Sequence, residues 1–378
     1  MMMKINEWIR DVHRMQMPRQ KPAANLRCDM AERLIDFDNE LFSNFINSIE
    51  QEDIITYPSY ADYEMLKEKI AKFNNVAAEN IMLGTGSDAC IKSAIHLTCN
   101  PDSEIVSAFP CFPMYFVYGA AYGASFIKVP YNDRLRIDLS ESQPIIYADF
   151  SLENMMSHVG DKTRLVILAN PNSPFGDYKT TDELEVLCVD LNQKNVMLLI
   201  DEAYADFAPG SAVDLALKYD NVVISKTFSK ALGAAGARVG YMVGCAETID
   251  LVSKVQLTYP VAGLSLRFAS FLLDNVEEIT KYSKETIRDR DLLCGMLESS
   301  NFDVLRSHTN SIHFHEGDGD NSRSVETLSK HGVGFKSGQM TTGTPVSVPG
   351  DNRETWIRLS VGPRIHESDF INDILTHN

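Results

Sequence analysis

The chain has no apolar run of membrane-spanning length, no CxxC pair, no Gly-Lys dipeptide and no surplus of basic residues. Each absence excludes a class of function. Without about 20 consecutive apolar residues there is no transmembrane helix. Without GxxxxGK[ST] there is no P-loop, so VMLLIDEA, which imitates the strand of an ATPase, does not make one. A net charge of -17, from 35 Lys and Arg against 52 Asp and Glu, argues against nucleic-acid and anionic-membrane surfaces, which reward basic patches. A few local arginines still suffice to bind a small anion. The seven cysteines sit singly in apolar contexts, such as Cys188 and Cys245, as reduced small hydrophobes do. A cytoplasmic setting is therefore expected. The first 22 residues, MMMKINEWIRDVHRMQMPRQKP, lack the apolar core of a secretory signal.

What the chain does have is alternation. At 378 residues it can bury a large core and predicts two domains. Short β-rich runs recur from Ile81 onward: IMLG, EIVSAF, SFIKV, LVILAN, VMLLID, NVVIS and RVGYMVG. Amphipathic segments such as Asp88 to Thr98 and Thr181 to Asn192 lie between them. This pattern predicts an α/β fold with a mostly parallel, doubly wound sheet. A long helix-like stretch, Leu264 to Ser299, then opens a smaller α+β region. The expected division is an arm and linker over 1–50, a large ligand-binding domain over 51–262 and a small C-terminal domain over 263–378.

Ligands collect at the carboxyl ends of strands in such sheets. Three runs end there in polar groups: LVILA in Asn170, VMLLI in Asp201 and NVVI in Ser225. A carboxylate at the mouth of a buried strand costs several kcal/mol unless a cation or donors meet it. Strand alternation sends Asp201 and Glu202 to opposite sides, so only one of them faces a given ligand. The segment after Ser225 carries Lys226, Thr227, Ser229 and Lys230, then a Gly/Ala-rich loop and Arg238. Carbonyl chemistry needs a lysine that spends time neutral beside other positive charge. Hydroxyls and a forked arginine suit a phosphate. A strand also runs into GTGS, where Gly86, Ser87 and Asp88 open a helix whose free N–H groups suit a phosphate as well.

An amine-forming lysine, a phosphate site and an acidic partner for a ring nitrogen together describe pyridoxal 5'-phosphate. The motifs GTGSD, PCFPMY, NPNSPFG, IDEAY, SKTFSK, GARVGY and WIRLSVG resemble, in order, those of the fold-type I aminotransferases of class I/II. The likeness is nearest to the histidinol-phosphate aminotransferase-like branch. It implies Lys230, rather than Lys226, as the lysine that forms the Schiff base and then moves the substrate proton. Asp201 would pair with the ring nitrogen. Tyr204 and Asn170 would donate to the phenolic oxygen of the ring. Gly86, Ser87, Asp88, Thr227, Ser229 and Arg238 would surround the phosphate, and Phe112 would stack on the ring. Arg358 lies on the polar face of the Thr355–Val361 alternation, where it would clamp a substrate carboxylate or phosphate. Tyr57 would reach the partner subunit's cofactor phosphate and touch substrate, which implies a homodimer with shared sites.

The implied activity is transamination between a small, phosphorylated amino compound and a 2-oxo acid, with decarboxylation of a phosphorylated amino acid as the alternative. The chain departs from its relatives where substrate is selected. NLRCDMAERLIDF stands where an Asn/Glu-rich motif is usual, Ser173 and Phe175 replace Asn and Thr, and SGQMTTGTPVSVPGDN (337–352) has no counterpart. A nicotinamide dehydrogenase using GTGSDA with Asp102 or Glu104 leaves Lys230, Arg238 and Asp201 without roles. His313 and His315 share a strand face, but two ligands do not make a metal site. A catalytically dead binding protein on this fold would not need both Lys230 and Asp201.

Overall fold

The computed structural model describes residues 5–12, 26–131, 135–138, 145–316, 321–337 and 356–376. Most of the 337–352 segment, and most of the first 25 residues, lie outside that range. Seven strands form the large sheet: β1 (Ile81–Gly84), β2 (Glu104–Phe109), β3 (Ser125–Pro130), β4 (Thr163–Ala169), β5 (Met197–Asp201), β6 (Val222–Thr227) and β7 (Gly240–Gly244). Their order is β1-β7-β6-β5-β4-β2-β3. Only β7 runs against its neighbours; the other pairings are parallel. The seven apolar runs in the sequence are these seven strands.

Burial on both faces explains why the runs read as continuously apolar. On one face Val166, Leu168, Leu198, Ile200, Val222 and Ile224 pack into a core with Leu66 and Ile70 of α1 (Tyr60–Asn74). On the other face Leu165, Ile167, Leu199 and Val223 meet Cys90, Ile91, Ala94 and Ile95 of α2 (Gly86–Thr98). Helix starts are fixed locally. Ser59 and Asp62 form a capping box at α1, and Thr180 and Glu183 form another at α3 (Thr181–Gln193). No described helix is long and apolar enough to cross a membrane.

The long helical stretch is two helices, α4 (Gly263–Asp274) and α5 (Val276–Ser299), broken at Asn275 (φ -117°, ψ 42°). The Asn275 side chain donates to the Phe271 carbonyl, so the break is held by a local hydrogen bond that periodicity does not reveal. Ile279 and Tyr282 of α5 belong to the core under the large sheet, whereas Leu293, Cys294 and Leu297 belong to a second core. That second core lies under an antiparallel sheet of β8 (Asp303–Leu305), β9 (Ser311–His315), β10 (Lys336–Ser337) and β11 (Ile357–Ser360), ordered β8-β9-β11-β10.

A strap from the N-terminal part of the chain ties the two sheets together. Leu26 and Arg27 pair in parallel with Val333 and Gly334. Ser360 N–H donates to the Cys28 carbonyl at 2.7 Å, and Ala31 N–H donates to Ser360 Oγ at 2.9 Å. Arg33 then sits between the rings of Phe37 and Tyr282, 4.3 and 4.2 Å from their centroids.

Candidate active site

The carboxyl ends of β4, β5 and β6 lie in register, with Ala169 beside Asp201 and Asp201 beside Ser225. Above them lies a cavity of about 160 Å³. Asp201 forms part of its lining and is only 5% exposed. Its Oδ2 accepts from the Tyr115 hydroxyl at 2.6 Å, and its Oδ1 accepts from Ser225 Oγ at 3.0 Å and Ala203 N–H at 3.2 Å. Burial pushes the carboxyl pKa up, and these donors only partly oppose it. All three donors are neutral. A carboxylate so placed is completed by a cation coming from the cavity side.

One wall of the cavity is a cradle for an oxyanion. Ser87 and Asp88 at the start of α2 border it together with Thr227, Ser229 and Arg238. Arg238 Nη1 donates to Ser229 Oγ at 3.2 Å, and Nη2 meets Asp88 Oδ2 at 3.1 Å. Thr227 and Ser229 are linked hydroxyl to hydroxyl at 3.0 Å. Gly86 stands behind them with φ +72°, and a Cβ there would come within 2.6 Å of Arg238 Nη2. Only glycine lets the arginine lie across the helix start.

The two lysines have separate environments. Lys226 is buried, with Nζ 3.4 Å from Glu202 and 3.9 Å from Asp206. Burial alone would discharge it, but Asp206, Tyr241 and Glu202 hold its pKa above the ordinary lysine value. Lys226 is thus a fixed cation facing Glu202, on the side opposite Asp201. Lys230 borders the cavity instead. Its Nζ donates to the Met30 carbonyl of the strap at 2.9 Å and lies 5.4 Å from the Tyr204 ring centroid. Burial works against ionising the Tyr204 hydroxyl, yet the Lys230 and Arg358 charges outweigh it and lower the phenol pKa.

A family profile described as aminotransferase class I and II matches residues 31–370. The chain belongs to the class I and II aminotransferases. It is similar to histidinol-phosphate aminotransferase 1 of Carboxydothermus hydrogenoformans, with 31% identity over 288 residues, 76% of this chain and 77% of that one. Its namesake from Idiomarina loihiensis is 28% identical over 271 residues, covering 71% and 70%. The solved histidinol-phosphate aminotransferase of Sinorhizobium meliloti, in complex with pyridoxal-5'-phosphate, shares the fold with a TM-score of 0.74. That match has 21% identity and covers 93% of this chain and 88% of that one.

Pyridoxal 5'-phosphate is the cofactor of this aminotransferase. The residues present fit it: an oxyanion cradle with a glycine-only approach, a buried carboxylate lacking a cation, and a lysine at the rim. Phe112 and Ala203 both border the cavity, and Phe112 meets Tyr115 edge-on at 5.5 Å. Besides Gly86, three of the expected residues do not line this cavity. Asn170 is absent from the lining: its Nδ2 donates to the Lys179 carbonyl at 3.0 Å and its Oδ1 accepts from Lys179 N–H at 2.7 Å. The loop turns back on itself there, and Ser173 lines the cavity beside Tyr204 instead. Tyr57 lies on the outer surface, 79% exposed and stacked on Tyr259 at 4.9 Å. Arg358 is buried beside Tyr204 rather than in the cavity wall.

Several site residues were missed in the sequence. Tyr115, in the first turn of the helix Met114–Ala121, follows Phe112 of the preceding loop by three residues within PCFPMY, and no periodic pattern singles it out. Lys336 and His313 flank Arg358 on neighbouring strands in register, a row that only the fold creates. Burial and then the Arg358 charge depress the Lys336 pKa to about 8. His313 faces Phe175 across 6.0 Å, whereas His315 packs on Trp356. Among the described residues, no group of three His, Cys, Asp or Glu side chains is placed to hold a metal ion.

Proposed function

We propose that this aminotransferase moves an amino group between a small phosphorylated amino compound, of the histidinol phosphate kind, and a 2-oxo acid. The observation that carries this reading is the cationic row of Arg358 and Lys336 beside Tyr204 and Lys230. An otherwise acidic protein that sets a buried arginine and a half-buried lysine side by side next to its site selects an anionic substrate. The names of its relatives point the same way.

When bound, the cofactor supplies an aldehyde for amines and a ring that withdraws electrons from the substrate carbon. In our reading Lys230 takes and returns the proton at that carbon, having left the Met30 carbonyl. Asp201 keeps the ring nitrogen protonated, an interaction that matters more as negative charge builds. The Tyr204 hydroxyl, with Ser173 beside it, holds the phenolic oxygen. Ser87, Asp88 N–H, Thr227, Ser229 and Arg238 hold the phosphate, and Phe112 covers one ring face. Arg358 offers the donors it does not spend on Ser311 and Tyr204 to a carboxylate or phosphate.

The same reading makes the enzyme a homodimer in the cytoplasm. Ile54, Ile55, Tyr57, Tyr60 and Leu257 are each at least two-thirds exposed, an apolar area that a second copy would cover. All seven cysteines are free thiols. The decisive experiment incubates phosphorylated amino donors with 2-oxoglutarate and follows glutamate and CO2 together. Glutamate without CO2 supports transamination of this substrate class. CO2 without glutamate would move the enzyme to decarboxylation.

A further inference from the structure

Arg358 is backed by a file of buried hydroxyls that nothing in the cofactor site explains. Its Nε donates to Ser311 Oγ at 3.4 Å. Ser311 Oγ lies 2.9 Å from Thr309 Oγ1, which lies 2.8 Å from Ser307 Oγ. All three residues are at most 2% exposed. At the far end Ser307 presses on Gly176 of the NPNSPFG loop, where a Cβ would fall 1.9 Å from Ser307 Oγ. The His308 N–H also donates to the Gly176 carbonyl at 2.9 Å. That loop supplies Ser173 and Pro171 to the cofactor cavity.

The first bond of the file has a direction fixed by chemistry. A guanidinium has donors only, so Ser311 must accept from Arg358. Ser311 and Thr309 then share one hydroxyl proton and Thr309 and Ser307 another, and in each contact either oxygen can be the donor. The Ser307 oxygen also accepts from Thr309 N–H at 3.0 Å, which anchors the file to main chain. Each bond polarises the next, and the dry surroundings strengthen all of them. Ser311 thereby occupies Nε of the guanidinium, Tyr204 shares a further hydrogen bond with it, and the donors that remain are held in a fixed plane for an anion.

We propose that Ser311, held through Thr309 and Ser307, is a positioning residue that pre-orients Arg358 toward the substrate anion and ties it to the loop beside the cofactor. This inference rests on the reading of Arg358 as the anion clamp. It accounts for three small hydroxyl side chains in a row, Ser307, Thr309 and Ser311, where an apolar filling would otherwise serve a buried position.

The test compares Ser311→Ala, Ser311→Thr, Thr309→Val and Arg358→Ala in the cofactor-loaded enzyme. Two quantities are read: KM and kcat for 2-oxoglutarate, and the dissociation constant of the non-reactive dicarboxylate maleate from its effect on cofactor absorbance. Ser311→Ala should weaken maleate and raise KM about tenfold with kcat little changed, the loss of one hydrogen bond to a charged group. Ser311→Thr, which keeps the hydroxyl, should restore both. Thr309→Val removes the middle hydroxyl at constant shape and should move both quantities the same way by a smaller factor. If Arg358→Ala weakens maleate while Ser311→Ala and Thr309→Val do not, the positioning role is overturned and the clamp stands. If Arg358→Ala also leaves maleate unchanged, the clamp itself fails and the inference falls with it.

Discussion

The Tyr115 hydroxyl donates to Asp201 Oδ2 at 2.6 Å inside a site where burial raises the pKa of both groups. The two shifts have a common first cause, since burial strips water from each group. A raised tyrosine pKa keeps the proton on the phenol, so the phenol donates and the carboxylate receives. Ser225 and Ala203 take the other oxygen, and the carboxylate plane is set from both sides. We expect Tyr115→Phe to leave Asp201 short of its strongest donor and more readily protonated. A neutral acid does not hold a protonated ring nitrogen. Cofactor affinity should fall by about 1.5–3 kcal/mol, roughly 10- to 150-fold. Titration of the apoenzyme with pyridoxal 5'-phosphate measures this, and an unchanged affinity would leave Tyr115 a space-filling residue.

Replacing the two lysines should produce opposite defects. Lys230→Ala removes an amine that borders the cavity, donates to the strap carbonyl of Met30 and lies over the Tyr204 ring. The protein should fold with near-normal stability and lose the cofactor's covalent colour. Borohydride reduction of the native protein should label the Lys230 peptide. Lys226→Met strands the buried Glu202 carboxylate, which then keeps only Ser211 Oγ and Ala212 N–H. Breaking one side of a buried pair costs about 3–5 kcal/mol, so this variant should melt early. A label on Lys226 would reverse the assignment.

The strands were legible because burial on both faces leaves unbroken apolar runs, and the parallel order follows from helices alternating with them. That Ser87, Asp88, Thr227, Ser229 and Arg238 share one cavity wall was legible because they lie within two short segments, Gly86 to Asp88 and Thr227 to Arg238. Asn170 misled because strand-end reasoning stops at the last strand residue. It does not show that the chain folds back so that the amide pairs with Lys179 main chain. Asn275 was invisible because a helix broken by one residue keeps its periodicity on both sides. The Arg358 row and its hydroxyl file depend on the register of β9, β10 and β11. Tens of residues of chain separate these strands, and no local pattern sets their pairing.

Lys336 should give substrate binding a pH limit. It pairs in register with Arg358, and burial together with that charge lowers its pKa to about 8. Below this value it is a cation and adds to the anion site; above it, the site keeps Arg358 alone. KM for an acidic substrate should therefore rise as pH passes about 8, by roughly three- to tenfold. Lys336→Arg should hold KM flat through that range, because a guanidinium does not titrate there. Lys336→Met should show the higher KM at every pH. A wild-type rise that persists in Lys336→Arg would assign the limit to another group.

His313 should set part of the acid stability of the fold. It is fully buried on β9, both ring nitrogens lack hydrogen-bond partners, and burial followed by the Arg358 charge lowers its pKa from 6.5 to about 3. Between those values the unfolded chain binds a proton at this residue and the folded protein does not. Stability therefore rises with pH across the window and is lost as pH falls below about 6.5. One such group costs about 1.4 kcal/mol per pH unit, or about 2 kcal/mol between pH 6.5 and pH 5. His313→Leu fills the space beside Phe175 with apolar atoms and removes both the unpaired nitrogens and the proton linkage. At pH 7 the variant should be more stable by about 1–3 kcal/mol, the penalty of an unpaired buried polar group. At pH 5 the gap should widen by about 2 kcal/mol, because the other histidines are common to both proteins. Denaturant unfolding of the two proteins at both pH values measures the change directly. A gap that stays constant between pH 7 and pH 5 would mean that His313 takes up its proton in the folded protein, with Arg358 moving away to allow it.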